Sequence, residues 1–403
     1  MKILVICQYY YPEPFRISNI CEDLVRRGHE VMVVTGEPNY PEGKIYEGYD
    51  NRQHADETIN GVTVHRCPIV PRKASSFYRV LNYYSYVFSA KRFVVSSKCT
   101  AKDGSKFDVI FVNQLSPVMM AIPAIAYKEK YNVPLVLYCL DLWPESLIAG
   151  GVRRNSLIYK YYRKVSKNIY SKADSILVTS RMFTDYLNSE FAIDESIISY
   201  FPQYAEELFE EISVHNEDIV SNFVFAGNIG SVQSVDTILC AAAELTELPV
   251  NFHIVGGGTD LEKLKRMAKD KNLHNVIFYG RKPVSEMPEF YQRADAMLVT
   301  LKKDTMLSYT LPGKVQSYMA SGKPIIGAID GEAMDIIKRA RCGFVDCAED
   351  SNKLAKNIMK FINLTTQEKR LMGKNARSFY DRYFNKEVFM DKLENVFNQF
   401  YSK

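Results

Sequence analysis

Apolar and polar positions along the chain follow two periods. Short, nearly continuous apolar runs alternate with stretches in which apolar residues return every three or four positions, the first a strand signal and the second a helix signal. In the first half the strand runs are "KILVICQ", "HEVMVVTG", "VTVHRCPIV", "FDVIFVNQ", "PLVLYCLD" and "DSILVTS". Helical patterns lie between them at "RISNICEDLVRRG", 77–97, 118–131 and 155–172. Strands that are apolar on both faces and separated by helices predict a parallel sheet covered on both sides. The alternation lapses over 203–220, an acidic and polar stretch, and resumes at "NFVFAGNIG", "NFHIVGGG", "VIFYG", "AMLVTL" and "IIGA". Residues 366–403 read as two closing helices. The pattern therefore predicts an α/β chain with one Rossmann-like domain over 1–205, a second over 206–380, and a C-terminal helix over 381–403. Open parallel sheets bind ligands at the C-terminal ends of their strands, and two such domains in tandem imply a cleft.

Bulk properties narrow the class. At 403 residues the chain is too long for one core, and 47% hydrophobic with 24% charged residues marks it as globular. A net charge of +4 does not suggest nucleic acid as a partner. The charge is unevenly spread: 72–106 holds eight basic residues and one acid, and 153–172 holds seven basic residues and none. The eight cysteines form no Cys-x-x-Cys pair and no zinc spacing, which predicts a reducing, cytoplasmic setting. The opening run is too short for a signal peptide, and no run approaches the roughly 18 apolar residues of a membrane span.

Several loops carry candidate chemistry. In "FAGNIGSVQS", Gly227, Asn228 and Gly230 lie between strand and helix, where backbone N–H groups cradle phosphate or where glycine serves only a tight turn. Gly256 and Gly257 in "HIVGGGTD" permit close approach by a nucleotide or, again, a turn. Arg281 follows a strand end and can meet a base or phosphate, or remain solvated. In "SYTLPGKVQSYMASGKPIIGAIDGE", Lys314 stands near a helix start, where its ammonium and the helix dipole together suit a diphosphate. Lys323 in the same stretch reads as a solvated turn residue. In "LDLWPES", Asp141 and Glu145 flank the sole tryptophan at a strand end, as acid/base or sugar-contacting groups or as a helix cap. Arg16 after the first strand can bind an anion or cap a surface, and "GEPNYPEGKIYEGY", with Asn39 and Tyr40, has the character of a binding loop. Phe77, Val80, Leu81, Tyr84, Phe88 and Val95 form one helical stripe beside basic residues, which fits either core packing or a membrane interface.

Together, "ICQYYYPEP", "RRGHEVMVVTGEPNYPEGKIYEGY", "LDLWPES", "FAGNIGSVQS", "IVGGG", "FYGRKP" and the Lys314 stretch resemble the family 4 glycosyltransferases of the GT-B fold. They are most similar to the bacterial O-antigen and capsule branch that includes N-acetyl-L-fucosamine transferases. The resemblance implies two Rossmann-like domains facing across a cleft and a last helix crossing back to the first. It implies retaining transfer of a sugar, an N-acetylamino sugar in this branch, from a UDP-sugar on the second domain to a lipid-diphosphate-linked saccharide on the first. The enzyme would work without a metal, at the inner face of the bacterial cytoplasmic membrane, touching it through 72–106 and 153–172.

Carried onto this sequence, the implied donor site is Gly227, Asn228, Gly230, Gly256, Gly257, Arg281, Thr310, Leu311, Lys314 and Ser317. The implied acceptor site is Arg16, Asn39, Tyr40 and Glu145, with Asp141 and Lys314 closest to the chemistry. The family's two glutamates, eight positions apart, align with Tyr309 and Ser317, and its usual Arg and Lys on the first loop of the second domain with Asn228 and the Gln233 region. These departures keep two alternatives in view, a UDP-sugar 2-epimerase of the same fold and a non-catalytic nucleotide-binding member.

Overall fold

The computed structural model describes residues 1–50, 53–73, 75–149, 151–210, 212 and 220–401. Part of the predicted 203–220 junction, residues 211 and 213–219, lies outside the described residues. The chain divides into two compact units, one of Met1–Thr179, Phe183–Phe201 and the chain from Met390, the other of Ser180–Met182 and Pro202–Phe389.

The first unit runs β1 (Lys2–Ile6), α1 (Ile17–Arg26), β2 (Glu30–Gly36), β3 (Asp56–Ile59), β4 (Val62–Cys67), α2 (Ser76–Val94), β5 (Val109–Gln114), α3 (Ile122–Tyr131), β6 (Leu135–Cys139), α4 (Glu145–Ala149), α5 (Leu157–Tyr170), β7 (Ser175–Val178), α6 (Arg181–Phe191) and β8 (Ile198–Tyr200). Its eight-stranded sheet has the order β3-β4-β2-β1-β5-β6-β7-β8. Every neighbouring pair is parallel except β3 with β4. β3 escapes the sequence pattern because "DETI" is an edge strand with no fully buried residue. The central strands are mostly apolar because helices cover both faces; β5 and β6 are buried at every position, although β5 ends in the polar Asn113 and Gln114.

The second unit runs β9 (Ser221–Ala226), α7 (Val235–Ala243), β10 (Val250–Val255), α8 (Leu261–Asp270), β11 (Val276–Gly280), α9 (Met287–Arg293), β12 (Ala296–Thr300), α10 (Thr305–Tyr309), α11 (Gly313–Ala320), β13 (Ile325–Ala328), α12 (Glu332–Ala340), β14 (Gly343–Asp346), α13 (Ser351–Ile362), α14 (Thr366–Tyr383) and α15 (Lys386–Tyr401). Its six strands are all parallel, in the order β11-β10-β9-β12-β13-β14. A capping box starts α14: the Thr365 hydroxyl accepts from the Glu368 N–H while the Glu368 carboxylate accepts from the Thr365 N–H. From Met390 onward α15 belongs to the first unit. There Arg27 donates to Asp391 and Glu394, at 2.7 and 2.6 Å, and Phe397 packs against Phe111.

The structure corrects the reading of Lys323. It is only 5% exposed, and its ammonium donates to the carbonyls of Gln292 and Ala294, at 3.1 and 2.8 Å, closing the C-terminal end of α9. Cations suit that end of a helix, where carbonyls lack partners and the dipole is negative. Burial lowers its pKa to about 8. Replacing it by alanine takes this donor from the buried Ala294 carbonyl and the part-buried Gln292 carbonyl, so Lys323→Ala is expected to cost about 1–3 kcal/mol in denaturant unfolding. A solvated lysine would change stability by no more than about 0.5 kcal/mol.

Candidate functional site

In an open parallel sheet the strand order reverses where consecutive connections leave in opposite directions, and the loops on either side of that point leave a crevice at the C-terminal edge. In the second unit the reversal lies between β9 and β12. The loop after β9 carries Gly227, Asn228 and Gly230, and the chain after β12 leads through α10 to Lys314 on the first turn of α11.

These segments meet. The Lys314 ammonium lies so close to Gly227 that a β-carbon there would stand 2.9 Å from it. It donates to the Gln233 side-chain oxygen at 3.0 Å and sits 4.0 Å from the centre of the Phe225 ring. Among the described residues no carboxylate pairs with it. Loss of water around the ammonium lowers its pKa to about 7. Gln233 is itself fixed, its carbonyl accepting from the Thr300 hydroxyl at 2.6 Å at the end of β12.

The loops after β9, β10 and β11 are stitched by backbone bonds. Ile229 N–H donates to Gly257 O and Gly256 N–H to Gly280 O, both at 2.9 Å. The approach leaves no room for side chains: a β-carbon on Gly256 would fall 1.8 Å from the Gly227 carbonyl oxygen, and one on Gly258 2.3 Å from that of Ile229. Gly257 lies against Arg281, whose side chain is exposed. The Asn228 amide folds back toward Gly230.

The remaining donor-side candidates occupy the α10–α11 segment. The Thr310 hydroxyl donates to Leu307 O at 2.7 Å, and Leu311 packs against the second unit's core. Ser317 is buried and its hydroxyl donates back to Gly313 O at 3.4 Å within α11. Tyr309 ends α10, whose start is capped by the Asp304 carboxylate. Glu332, at the start of α12, is a buried carboxylate that the motif reading passed over; its signal is the acidic residue after "IIGAIDG". The preceding Gly331 abuts the Ser308 carbonyl of α10, where a β-carbon would fall 1.9 Å away.

In the first unit the strand order reverses between β1 and β5. Glu13, in the loop after β1, is buried and accepts the backbone N–H groups of Asn39 and Tyr40 at 2.9 and 2.7 Å. Asn39 is buried, and its side-chain oxygen accepts the Arg72 N–H. Tyr40 is half-buried, 5.7 Å from the Tyr9 ring and 5.4 Å from that of Phe15. Arg16 immediately precedes α1. Asp141 follows β6, and its carboxylate accepts from the Ser146 hydroxyl at 2.6 Å; burial raises its pKa. Gln114, ending β5, donates its side-chain amide to the Asp141 carbonyl. Glu145 is buried: one oxygen accepts from Tyr159 and Tyr186 hydroxyls and the other from Arg154, so its carboxylate ties α4, α5 and α6 together.

Glu13 was missed by the motif reading, although the Pro-Glu-Pro in "YYYPEP" carries it. Burial pushes its carboxyl up to about 7, against the stabilising N–H bonds from Asn39 and Tyr40. A carboxyl raised in the folded state binds more protons there than when unfolded, so its contribution to stability falls as pH rises from about 4.5 to about 7. Glu13→Gln keeps the acceptor and removes the charge. Its melting temperature is expected to match wild type near pH 5 and exceed it near pH 8 (~2 units of carboxyl titration between). Parallel curves for the two proteins would remove Glu13 from this role.

Comparison with known proteins finds matches to both parts of the chain. Residues 15–202 match the family model described as glycosyl transferase 4-like domain, and residues 208–379 that of glycosyl transferases group 1. A protein named as a colanic acid biosynthesis glycosyl transferase, WcaI of Escherichia coli K12, is 25% identical over 80% of this chain and 82% of its own. WbjE of Pseudomonas aeruginosa, named as a glycosyltransferase, is 25% identical over 75% of this chain and 76% of its own. Among solved structures, Anabaena HepE in complex with UDP superposes with a TM-score of 0.71 at 14% identity, over 99% of this chain and 100% of its own. That likeness extends to the fold.

Proposed function

The chain belongs to the GT-B glycosyltransferases, and from that premise we propose that it transfers an N-acetylamino sugar from a UDP-sugar to a lipid-diphosphate-linked saccharide, with retention, in the assembly of a bacterial surface polysaccharide. The observation that carries the reading is the Lys314 ammonium, set against the Gly227 turn at the sheet's reversal point with no carboxylate partner among the described residues. The name of WcaI, with its colanic acid pathway, supports the polysaccharide setting. The choice of UDP and of an amino sugar rests on the resemblance to the O-antigen and capsule branch.

In this reading the bond from the anomeric carbon to the diphosphate breaks, and a bond from that carbon to the acceptor oxygen forms on the same face. The acceptor's proton passes to the departing phosphate oxygen, so no strong protein base is required, and Asp141 orients the acceptor. Lys314 and the amino end of α11 carry the charge that develops on the diphosphate. A resident metal has no step in this scheme.

Binding a dianion restores the lysine's proton. With an unliganded pKa of about 7, Lys314 takes up a proton on binding UDP at higher pH. The dissociation constant should rise about tenfold per pH unit above 7 until the bound-state pKa is reached. Calorimetric titration with UDP across that range checks this, and Lys314→Arg, which stays protonated, should flatten the slope. A flat wild-type profile separates Lys314 from the diphosphate. Lys314→Ala should lower acceptor-dependent UDP release by about 10²–10³-fold. Thermal shifts with UDP-, GDP- and dTDP-sugars identify the nucleotide, and sugar turnover without an acceptor would move the assignment to an epimerase.

A further inference from the structure

In the first unit the Arg72 side chain is set in place without a counter-ion. Its backbone is fixed: the N–H donates to the Asn39 side-chain oxygen at 2.9 Å, and a β-carbon on Gly43 would fall 2.1 Å from the Arg72 carbonyl oxygen. Its guanidinium is half-buried, 5.6 Å from the centre of the Tyr40 ring, and pairs with no carboxylate among the described residues. The Glu13 carboxylate accepts the N–H groups of Asn39 and Tyr40 and not this guanidinium. An arginine fixed on an aromatic face, with its fork of donors unspent, suits a phosphate or a carboxylate.

Helix α2 joins this place to Asp141. It turns Phe77, Val80 and Phe88 outward and buries Asn82, Tyr83 and Tyr86. Asn82 donates to the Val70 carbonyl at 2.7 Å and accepts from Gln8 at 2.8 Å, which ties α2 to the loops after β4 and β1. Two residues on, the Tyr84 hydroxyl meets that of Tyr162 at 3.2 Å, and the Tyr162 ring stands 5.6 Å from that of Trp143, two residues past Asp141. Tyr83 lies between these anchors. It is only 9% exposed, yet its hydroxyl forms no hydrogen bond among the described residues. Burial raises its pKa; the charges of Arg72 and Arg79 act the other way, and that of Asp141 adds to the rise. The hydroxyl therefore keeps its proton at neutral pH and can donate it in a hydrogen bond. Charges that all act on one hydroxyl stand within about a Debye length of it, roughly 10 Å. An unused donor thus faces two cations on one side of the balance and the proposed acceptor-orienting carboxylate on the other.

We infer that Arg72 and Tyr83 bind an anionic group of the acceptor, a phosphate or a carboxylate, and so set the acceptor sugar against Asp141. This rests on the transfer reading, in which Asp141 orients the acceptor. Matched soluble probes separate the two sources of charge: octyl glucoside, octyl glucuronide, and glucose joined to octanol through a diphosphate. Each is titrated calorimetrically into the full chain in excess UDP. The wild type should bind one charged probe at least about tenfold more tightly than the neutral glucoside. Preference for the diphosphate assigns the charge to a carrier linkage, and preference for the glucuronide assigns it to an acidic sugar. Arg72→Gln should abolish the preference and leave UDP affinity and melting temperature unchanged, and Arg72→Lys should restore only part of it. Tyr83→Phe should weaken the preferred probe by about two- to tenfold. Equal binding of charged and neutral probes, binding of none, or a preference that survives Arg72→Gln overturns the inference. Failure of the transfer reading shows separately, as absence of UDP binding in the same titrations.

Discussion

Parallel strand pairing is the constraint from which the rest follows. A strand that must lie parallel to its neighbour cannot return by a tight turn, so the chain crosses a face of the sheet each time and the strand-to-helix loops gather at one edge. In the second unit this brings the loops after β9, β10 and β11 within backbone hydrogen-bonding distance. Their closeness in turn demands glycine, since a β-carbon at Gly256 or Gly258 would overlap a neighbouring carbonyl. The glycines therefore act first on one another. The close turns are a consequence of that packing and not a separate design, which is why glycine-rich turns alone do not specify a ligand.

The lysine supplies what the glycines do not. The resemblance implies basic residues on the loop after the first strand of the second unit, and here that loop offers Asn228 and Gln233. Lys314 reaches the same place from α11, and Gln233 accepts its hydrogen bond. The topology brings both segments to the sheet's reversal point. The missing glutamates are a separate matter. Ser317 is turned into its own helix, and Glu332 on α12 is a buried carboxylate.

The sheets were legible in the sequence because parallel strands covered on both faces must be apolar at nearly every position, as β6 is. Lys314 was legible through its place at a helix start. What escaped depends on distant partners. Lys323 sits in a Gly-Lys-Pro turn, and nothing local signals that its ammonium closes a helix some thirty residues earlier. Glu13 looks like a loop acid until Asn39 and Tyr40 are brought to it. On α2 periodicity could not choose between two apolar stripes, since the helix has one facing the core and one facing outward. Only the packing of its neighbours decides which is which.

Burial of Glu13 and Lys314 has opposite signs in charge but a common effect near neutrality. Glu13, with its carboxyl raised to about 7, weighs against folding in full once the pH exceeds 7 and not at all below about 4.5. Lys314, with its ammonium lowered to about 7, weighs against folding in full below 7 and progressively less toward 10.5, where the unfolded chain also loses the proton. The two burdens overlap around pH 7, so the unliganded protein carries both where it would normally work. A dianion at Lys314 removes one of them, since it gives the desolvated ammonium the counter-charge it lacks. The binding energy spent on that relief is available only to a ligand with the right charge at that point, and an apolar or cationic ligand of the same shape gains none of it.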